Sequence, residues 1–283
     1  MTSTTGAPWQ ARAVDDDALA PLDGVDGVAW SAAVADAATG RLLAVRHPDV
    51  VLPTASIGKL LLLHEAAARM VDGRLDPEAR LARTDDDAVA DSGLWQHLRL
   101  SALPAEDLAL LVASVSDNLA ANVLLRHIGL DAVAEVPGRL GVPTVRLLDR
   151  VRDVRTSDDP PHLSQGSALD LVRLAGMLAA DDAPEWALLR QWLSTGVDLS
   201  MVAAGLGLDP LAHVDGDRGL RVINKTGTDA GVRADVGIVG AGRRVVAYAV
   251  LASWTPQGPG DPARDDVLGA MREVGRRLRE LGA

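Results

Sequence analysis

The sequence predicts an α/β protein of the α+β type, in which strands from both ends of the chain share one sheet and a helical domain is inserted between them. Residues 25–37 alternate and are rich in Val and Ala, and after Gly40 the chain returns through residues 41–46, a pattern typical of a β-hairpin. β-branched residues recur near the C-terminus and indicate three more strands, over residues 219–225, 234–239 and 244–253. The part of the chain between the hairpin and these three strands shows mainly helical periodicity. We therefore expect the termini to form a sheet, with a cleft between it and the helical domain.

The most pronounced helical segment covers residues 56–71, where an apolar face with four consecutive leucines follows the start signals Pro53 and Thr54. Four further stretches carry helical periodicity, namely residues 105–115, 119–127, 167–179 and 185–193. Residues 262–281 close the chain as an amphipathic helix. We expect these helices to flank the sheet.

This order of elements suggests three parts. Residues 1–24 form an acidic leader that is partly disordered or helical. Residues 25–53 and 215–283 form the sheet domain, and residues 54–214 form the helical domain. A sheet domain made of two separate segments requires the two ends of the chain to pair with each other.

Composition narrows the classes of partner. Because 48% of the 283 residues are hydrophobic, the chain can bury a full core. A net charge of −11 disfavours nucleic acid and anionic membranes, so we expect a small-molecule substrate and a monomer. There are no cysteines and the six histidines are scattered, which predicts no disulfide, no metal site and no cofactor.

The N-terminal segment lacks the basic and apolar regions of a secretory signal and carries Asp15, Asp16 and Asp17 instead. As written, the sequence therefore predicts a cytoplasmic protein, or a secreted one if a leader has been lost. No run of about 18 apolar residues occurs, so no membrane span is expected.

Ser56 and Lys59 form an S-x-x-K motif at the start of the predicted helix. The spacing of three places the Lys59 amine on the same helix face as the Ser56 hydroxyl. A serine hydroxyl needs a base to become a nucleophile, and a helix N-terminus offers backbone N–H groups to an oxyanion. The motif is weak when it stands alone, because a solvated helix start has the same appearance.

Two further motifs follow. Ser116-Asp117-Asn118 lies between two predicted helices, and Lys225-Thr226-Gly227 ends a predicted strand. Ser116 could relay a proton to a departing amine, Asn118 could hold a substrate amide, and Lys225 could bind a carboxylate or tune Ser116. Thr226, Gly227 and the neighbouring Thr228 would let an extended substrate lie along the strand edge.

These three motifs, in this order and on these elements, resemble those of the class A β-lactamases and penicillin-binding proteins. The resemblance covers roughly residues 25–283. It implies a β-lactamase/transpeptidase-like fold, with an antiparallel five-stranded sheet flanked by helices and an inserted all-helical domain. It also implies acylation of Ser56, with Lys59, Ser116 and Lys225 as its catalytic partners.

Other segments extend the resemblance. Residues 147–150 look like the entry to the family's Ω loop, which would then span about residues 147–166. Arg233 stands where many members keep an arginine for the substrate carboxylate. Trp95 falls near the aromatic gate beside the family's active site, although an ordinary half-buried tryptophan fits the sequence equally well.

The Ω-like loop also departs from the family. Arg152 and Thr156 occupy the places of the glutamate and asparagine that hold the deacylating water, and no Glu occurs between Glu135 and Glu185. An arginine cannot accept a proton at neutral pH. The candidate replacement bases, in an otherwise solvated acidic loop, are Asp153 and His162 and, after them, Asp149, Asp158 and Asp159.

Three functions fit this sequence. The first is a serine hydrolase that is acylated at Ser56 by a β-lactam or a related amide or ester and then hydrolysed. The second is a covalent penicillin-binding or sensing protein with little turnover. The third is a non-catalytic descendant that binds a small molecule, which the intact motifs argue against. The scattered His64, His97 and His127 are expected to be packing or surface residues.

Overall fold

The computed structural model describes residues 16–213, 217–241, 244–258 and 260–282. Its strands are β1 (Ala29–Asp36), β2 (Leu42–Arg46), β3 (Val51–Pro53), β4 (Arg80–Ala82), β5 (Ala102–Pro104), β6 (Arg146–Leu147), β7 (Ser164–Ser167), β8 (Arg221–Asp229), β9 (Val232–Ala241) and β10 (Arg244–Ser253). Its α-helices are α1 (Lys59–Val71), α2 (Ala105–Val115), α3 (Asn118–Ile128), α4 (Leu130–Ala134), α5 (Val136–Leu140), α6 (Ala168–Ala180), α7 (Pro184–Leu193) and α8 (Pro262–Gly282).

The main sheet has five antiparallel strands in the order β2-β1-β10-β9-β8. Strand β1 pairs with β10 along its whole length, from Ala29 opposite Ser253 to Asp36 opposite Val246. The N-terminal hairpin is thereby joined to the three C-terminal strands. This confirms the predicted five-stranded antiparallel sheet built from both ends of the chain, with helices on its faces.

Each face of the sheet has its own apolar core. On one face, alanines of β1 and β10 pack with the apolar sides of α1, α2, α3, α6 and α7. On the other face, residues such as Val34 and Tyr248 pack with α8 and with two 3-10 helices, Asp16–Gly24 and Val202–Leu206. The small alanines of the sheet leave room for α6 to pack on β1 and β10.

The predicted leader is described only in part. Residues 1–15 lie outside the described residues, and residues 16–24 form the 3-10 helix that packs against α8. Helix α6, from the middle of the chain, packs on the sheet strands β1 and β10. The domain boundaries near residues 53 and 214 stay a prediction. In the described part of the chain, no helix is both long and apolar enough to cross a bilayer.

The predicted helix at residues 56–71 begins differently from the expectation. Residues Ala55–Gly58 form a 3-10 turn, and the α-helix starts at Lys59. Ala55 has a φ of +47°, in the left-handed region that non-glycine residues rarely adopt. This tight entry, rather than a regular first helical turn, determines where Ser56 sits.

Candidate active site

Ser56 lies in the 3-10 turn before α1 and is half-buried. The turn is held by Ser164 of β7, a fully buried residue. The Ser164 hydroxyl donates to the Ala55 carbonyl at 2.5 Å and accepts the Gly58 N–H at 3.3 Å. Its oxygen also lies 2.7 Å from Thr54 Oγ1, which must then be the donor of that pair. Ser164 therefore fixes both sides of the Ser56 turn.

The Lys59 ammonium projects from α1 into the loop between α2 and α3. It donates to the Ser116 carbonyl at 2.7 Å, to Ser116 Oγ at 3.3 Å and to Asn118 Oδ1 at 2.6 Å. Lys225 of β8 reaches the same hydroxyl, with Nζ 3.0 Å from Ser116 Oγ. The Ser116 hydroxyl thus stands between two amines, one from a helix and one from the sheet.

The two amines have lowered pKa values. Burial, followed by repulsion from the Lys225 charge, holds the pKa of Lys59 well below its ordinary value, while the carboxylates of Asp117 and Asp91 act in the opposite direction. Burial lowers the pKa of Lys225 to about 8, with Asp198 and Asp235 opposing the shift. Burial therefore makes both amines easier to deprotonate than ordinary lysines, and the charge of Lys225 adds to the shift at Lys59.

Ser116 makes the turn between α2 and α3 with a left-handed backbone, at φ 56° and ψ 33°. The next residue, Asp117, is buried and caps α3 by accepting the Ala120 N–H. Its other carboxylate oxygen accepts the N–H groups of Leu94 and Trp95. The Ser116-Asp117-Asn118 motif is therefore a sharp helix-to-helix turn whose central carboxylate also anchors the segment that carries Trp95.

The structure corrects the expectation that Trp95 borders the cleft. Its side chain is 0% exposed, and its indole N–H donates to the Leu100 carbonyl at 2.9 Å. Tryptophan is large and apolar with one donor, so it satisfies that donor inside a core. Trp95 packs the helical part of the molecule and does not contact the cleft.

Strand β8 runs directly beside the Ser56 turn. A Cβ atom on Gly227 would lie 2.1 Å from the Thr54 carbonyl oxygen and 3.2 Å from the Ser56 nitrogen, so only glycine fits there. The Thr226 hydroxyl donates to Asp198 Oδ2 at 2.5 Å, and Thr228 is exposed at the end of the strand. The Lys225-Thr226-Gly227 motif therefore supplies an amine, a bound hydroxyl and a close approach to Ser56.

Arg233 lies on β9 directly opposite Thr228. Its guanidinium donates to the carbonyls of Asp229 and Val232 and lies 5.9 Å from the ring centre of Trp254. Burial lowers its pKa from the ordinary value, with the charge of Arg264 contributing. The arginine is thus half-buried beside the open end of β8, one strand away from the edge.

Two cavities adjoin the residues that Lys59 contacts. The first, which we call the Ser56 cavity, has a volume of about 190 Å³ and is lined by residues that include Ser56, Asn118 and Thr228. The second, the Ser116 cavity, has a volume of about 230 Å³ and is lined by residues that include Ser116, Lys225 and Thr226. Lys59 bonds to one residue of each cavity. The three sequence motifs therefore meet at one cleft.

Arg152 forms ion pairs within its own loop and cannot act as a base. It donates to Asp149 at 2.6 Å and lies 3.1 Å from Asp159, while Arg155 also donates to Asp149. Burial opposes ionisation of Asp149, but the hydrogen bonds from both arginines outweigh it and lower the pKa of Asp149. Asp149 and Asp159 therefore serve as anionic anchors of the loop.

Among the candidate bases, Asp153 is the one that lines the Ser56 cavity. Its side chain is exposed, and Oδ1 accepts the Ala90 N–H at 2.8 Å. His162 is half-buried and lines neither cavity, and Asp158 is an exposed loop residue. The structure thus separates Asp153 from the other candidates.

Two carboxylates beside Lys225 were not anticipated. Asp198 lines the Ser116 cavity and holds Thr226. Asp235 is fully buried, accepts hydrogen bonds from Asn224 and Tyr248, and has its pKa raised to about 6 by burial. An aspartate inside the apolar run of β9 was a signal for Asp235, whereas Asp198 stands in a loop with no distinguishing pattern. Among the described residues, no group of His, Cys, Asp or Glu is arranged to hold a metal ion.

Comparisons with known proteins agree with this geometry. The family model of the β-lactamase enzyme family matches residues 16–280. The β-lactamase of Streptomyces albus G is 30% identical over 277 residues, which cover 93% of this chain and 82% of the relative. The solved β-lactamase of Sphaerobacter thermophilus superposes with a TM-score of 0.78 at 24% identity, covering 95% of this chain and 98% of that one.

A third similar protein is PBP-A. A mutant form of it, solved as an acyl-enzyme complex with penicillin G, superposes with a TM-score of 0.76 at 18% identity and covers 95% of this chain and 97% of its own. The fold and the three converging motifs define a class A β-lactamase/penicillin-binding-protein-like serine hydrolase scaffold. The chain belongs to the β-lactamase enzyme family.

Proposed function

We propose that the protein is a serine acyl-hydrolase in which Ser56 is acylated by a β-lactam or by a related amide or ester. The observation that carries this proposal is the position of Lys59. It extends from the Ser56 turn to bond both Ser116 and Asn118, and its pKa is lowered by burial. A neutral amine three residues from a serine is the base that nucleophilic attack requires.

In the first step, neutral Lys59 takes the hydroxyl proton as Ser56 Oγ attacks the carbonyl carbon. Asn118 holds the acyl amide, and the Ser56 backbone N–H stabilises the oxyanion beside β8. When the C–N bond breaks, the Ser116 hydroxyl delivers a proton to the leaving nitrogen and is reprotonated from Lys59. Charged Lys225 keeps Ser116 in place through its 3.0 Å hydrogen bond and, with Thr226, Thr228 and Arg233, attracts a substrate carboxylate.

In the second step, water must attack the acyl-Ser56 ester, and this requires a base in the Ser56 cavity. Arg152 cannot act as one, because it is a cation already paired with Asp149 and Asp159. We propose Asp153 as the base of a slow hydrolysis, since it lines the same cavity as Ser56. His162 is the second candidate.

A covalent penicillin-binding or sensing protein is the alternative function. It is favoured by the arginine in the Ω-like loop, because an acyl-enzyme without a well-placed base persists. The PBP-A mutant of the same fold, which forms an acyl-enzyme with penicillin G, is consistent with this behaviour.

Intact-mass spectrometry after mixing with penicillin G tests the acylation. We expect an adduct of one penicillin per chain that maps to Ser56, is absent in Ser56→Ala and is retained in the control Ser101→Ala, which changes an exposed serine. The lifetime of the adduct distinguishes the two functions. An adduct that forms equally on Ser56→Ala would refute the proposed nucleophile.

A further inference from the structure

Several acidic side chains line the Ser56 cavity, although the resemblance to β-lactamases suggests a substrate that carries a negative charge. Its lining includes the exposed side chains of Asp91, Asp153 and Asp229. Within the described part of the chain, none of these three forms an ion pair with a basic side chain. Their negative charges therefore face the space that a ligand would enter.

The two arginines of the same cavity do not balance these charges. Arg152 pairs with Asp149 and Asp159, and Arg155 pairs with Asp149 and donates to the Pro160 carbonyl. Both guanidinium groups are thus held by loop carboxylates. The field that remains in the cavity is negative, and low-dielectric walls strengthen it.

Of the three exposed aspartates in this cavity, Asp91 is the one whose charge acts on Lys59. Its charge raises the pKa of Lys59, in opposition to burial, which places it within electrostatic range of that amine. The Asn118 N–H donates to the Ser92 carbonyl at 3.0 Å, so the segment that carries Asp91 is bonded to the residue that bonds Lys59. The Asp91 carbonyl is held in turn by the Gln96 side chain at 2.6 Å.

The chemistry of the proposed acylation decides which part of a substrate meets these charges. Once Ser56 Oγ holds the acyl carbon, the acyl substituent must occupy the Ser56 cavity. The leaving nitrogen lies toward Ser116, which lines the other cavity, and the carboxylate near it lies toward Lys225, Thr228 and Arg233. Asp91 and Asp153 therefore face the acyl side chain, whereas Asp229 lies beside Thr228 at the end of β8.

We propose, on the basis of the proposed function, that Asp91 is a specificity-determining residue that selects substrates with a positively charged acyl side chain. The expected class is an α-amino acyl or other ammonium-bearing amide or ester. A neutral side chain gains nothing from Asp91, and an anionic one is repelled. Asp153 adds to the same field.

Three penicillins that differ at one carbon provide the test. Ampicillin carries an ammonium on the carbon next to the acyl carbonyl, benzylpenicillin carries hydrogen there, and carbenicillin carries a carboxylate. At about pH 6.5, below the ordinary α-amino pKa of about 7.7–8.0, the ampicillin amine is charged. The second-order rate of adduct formation on Ser56 should follow this order, with ampicillin about tenfold faster than carbenicillin, as expected for one or two exposed ion pairs.

Asp91→Asn is the diagnostic variant, because asparagine tolerates the left-handed backbone of this residue, at φ 67°. We expect the ampicillin-to-carbenicillin ratio to fall toward one in Asp91→Asn. It should be unchanged in Asp266→Asn, a control that removes an exposed charge from α8 on the other face of the sheet. Raising the salt concentration should compress the ratio in the unmodified protein.

The outcomes separate the two proposals. Adducts that form at equal rates with all three penicillins, or a ratio that Asp91→Asn leaves unchanged, would overturn the specificity proposal and leave the acylation of Ser56 standing. If none of the three compounds forms an adduct on Ser56 and none is hydrolysed, the proposed function and the specificity proposal are overturned together.

Discussion

Lys59 and Lys225 approach one hydroxyl, that of Ser116, from opposite sides of the cleft. Two ammonium groups that contact the same hydroxyl repel each other, and burial removes the water that would screen their charges. The group with the lower pKa therefore loses its proton first. Burial and the Lys225 charge both lower the pKa of Lys59, which supports Lys59 as the proposed base and Lys225 as the proposed cation.

This assignment predicts a bell-shaped pH dependence of acylation. The rate should rise with pH as Lys59 loses its proton, and it should fall above about 8 as Lys225 loses its charge. Stopped-flow acylation by a chromogenic cephalosporin measures both limbs. In Lys225→Arg the falling limb should move to higher pH, because a guanidinium keeps its charge. A falling limb that stays near 8 in this variant would contradict the role of Lys225.

Arg152 predicts slow deacylation. Without a positioned base, hydrolysis of the acyl-enzyme loses the ~10²–10⁴-fold contribution of general-base catalysis, so a burst followed by slow turnover should appear. Arg152→Glu should restore part of the turnover if the loop backbone resembles that of the family, whereas the control Arg152→Gln should not. Rapid turnover without a detectable adduct in the unmodified protein would indicate another base, and Asp153→Asn would then be the next variant to measure.

Arg233 predicts a preference for substrates with a carboxylate on the leaving side. Arg233→Ala should weaken capture of penicillin by about 1–3 kcal/mol, the range for a charged hydrogen bond. Arg233→Lys should not restore it, because an ammonium cannot bind a carboxylate through two parallel bonds. The measurement is the acylation rate constant for penicillin G and for its methyl ester. Equal losses for acid and ester would remove Arg233 from carboxylate binding.

At the scale of elements, the contact between α1 and α7 contains a buried histidine whose protonation would destabilise the fold. His64 of α1 packs edge-on against Trp186 of α7, with ring centres 4.6 Å apart. It is 6% exposed, and neither ring nitrogen has a hydrogen-bond partner among the described residues. A neutral imidazole tolerates this apolar contact far better than an imidazolium does.

The stability of the protein should therefore depend on His64. Burial lowers its pKa from the ordinary 6.5, with Arg139 adding to the shift and Glu185, Glu65 and Asp181 opposing it. The unfolded chain then binds this proton at higher pH than the native one, so stability falls as pH drops below about 6.5.

His64→Phe should reduce that loss by up to about 1.4 kcal/mol per pH unit. Urea unfolding at several pH values measures the difference, with His97→Gln as the exposed control. If both variants show the same pH dependence as the unmodified protein, His64 is not the responsible group.

The whole molecule is organised around a sheet that joins the two ends of the chain. Strand β1 lies between β2 and β10, and α6 packs on β1 and β10 from the middle of the sequence. Ser164 of β7 hydrogen-bonds the Ser56 turn, and Gly227 of β8 packs closely against it. The complete site therefore needs β8, from the C-terminal part of the chain, beside the Ser56 turn and the Ser116 loop.

This topology predicts one cooperative unfolding transition rather than two. Tryptophans report from several regions, since Trp30 lies in β1, Trp95 among the helices and Trp192 in α7. Tryptophan fluorescence and far-UV circular dichroism should give the same urea midpoint. Gly275→Ala, whose Cβ would lie 1.9 Å from the Val202 carbonyl oxygen, should lower both midpoints together. Separate midpoints would show that the helical part unfolds independently.

The sequence by itself determined the local features and, through the three motifs, the family. Hydrophobic periodicity predicted the strands and the main helices, because an element that is buried on one face repeats its apolar residues with a fixed period. Spacing predicted Lys59 on the same face as Ser56, since three residues make almost one helical turn. The absence of the family's glutamate near Arg152 was also visible in the sequence, because the Ω-like loop is a short continuous segment.

Only the tertiary structure decided which distant groups share the site. The buried Ser164 holds Ala55 across 109 residues of chain, and Asp198 bonds Thr226 from a loop without a pattern. Trp95, for which the sequence allowed a place at the cleft or an ordinary half-buried position, proved to be fully buried. These contacts join segments whose separation along the chain carries no periodic signal, so their partners are set by packing of the completed fold rather than by local sequence.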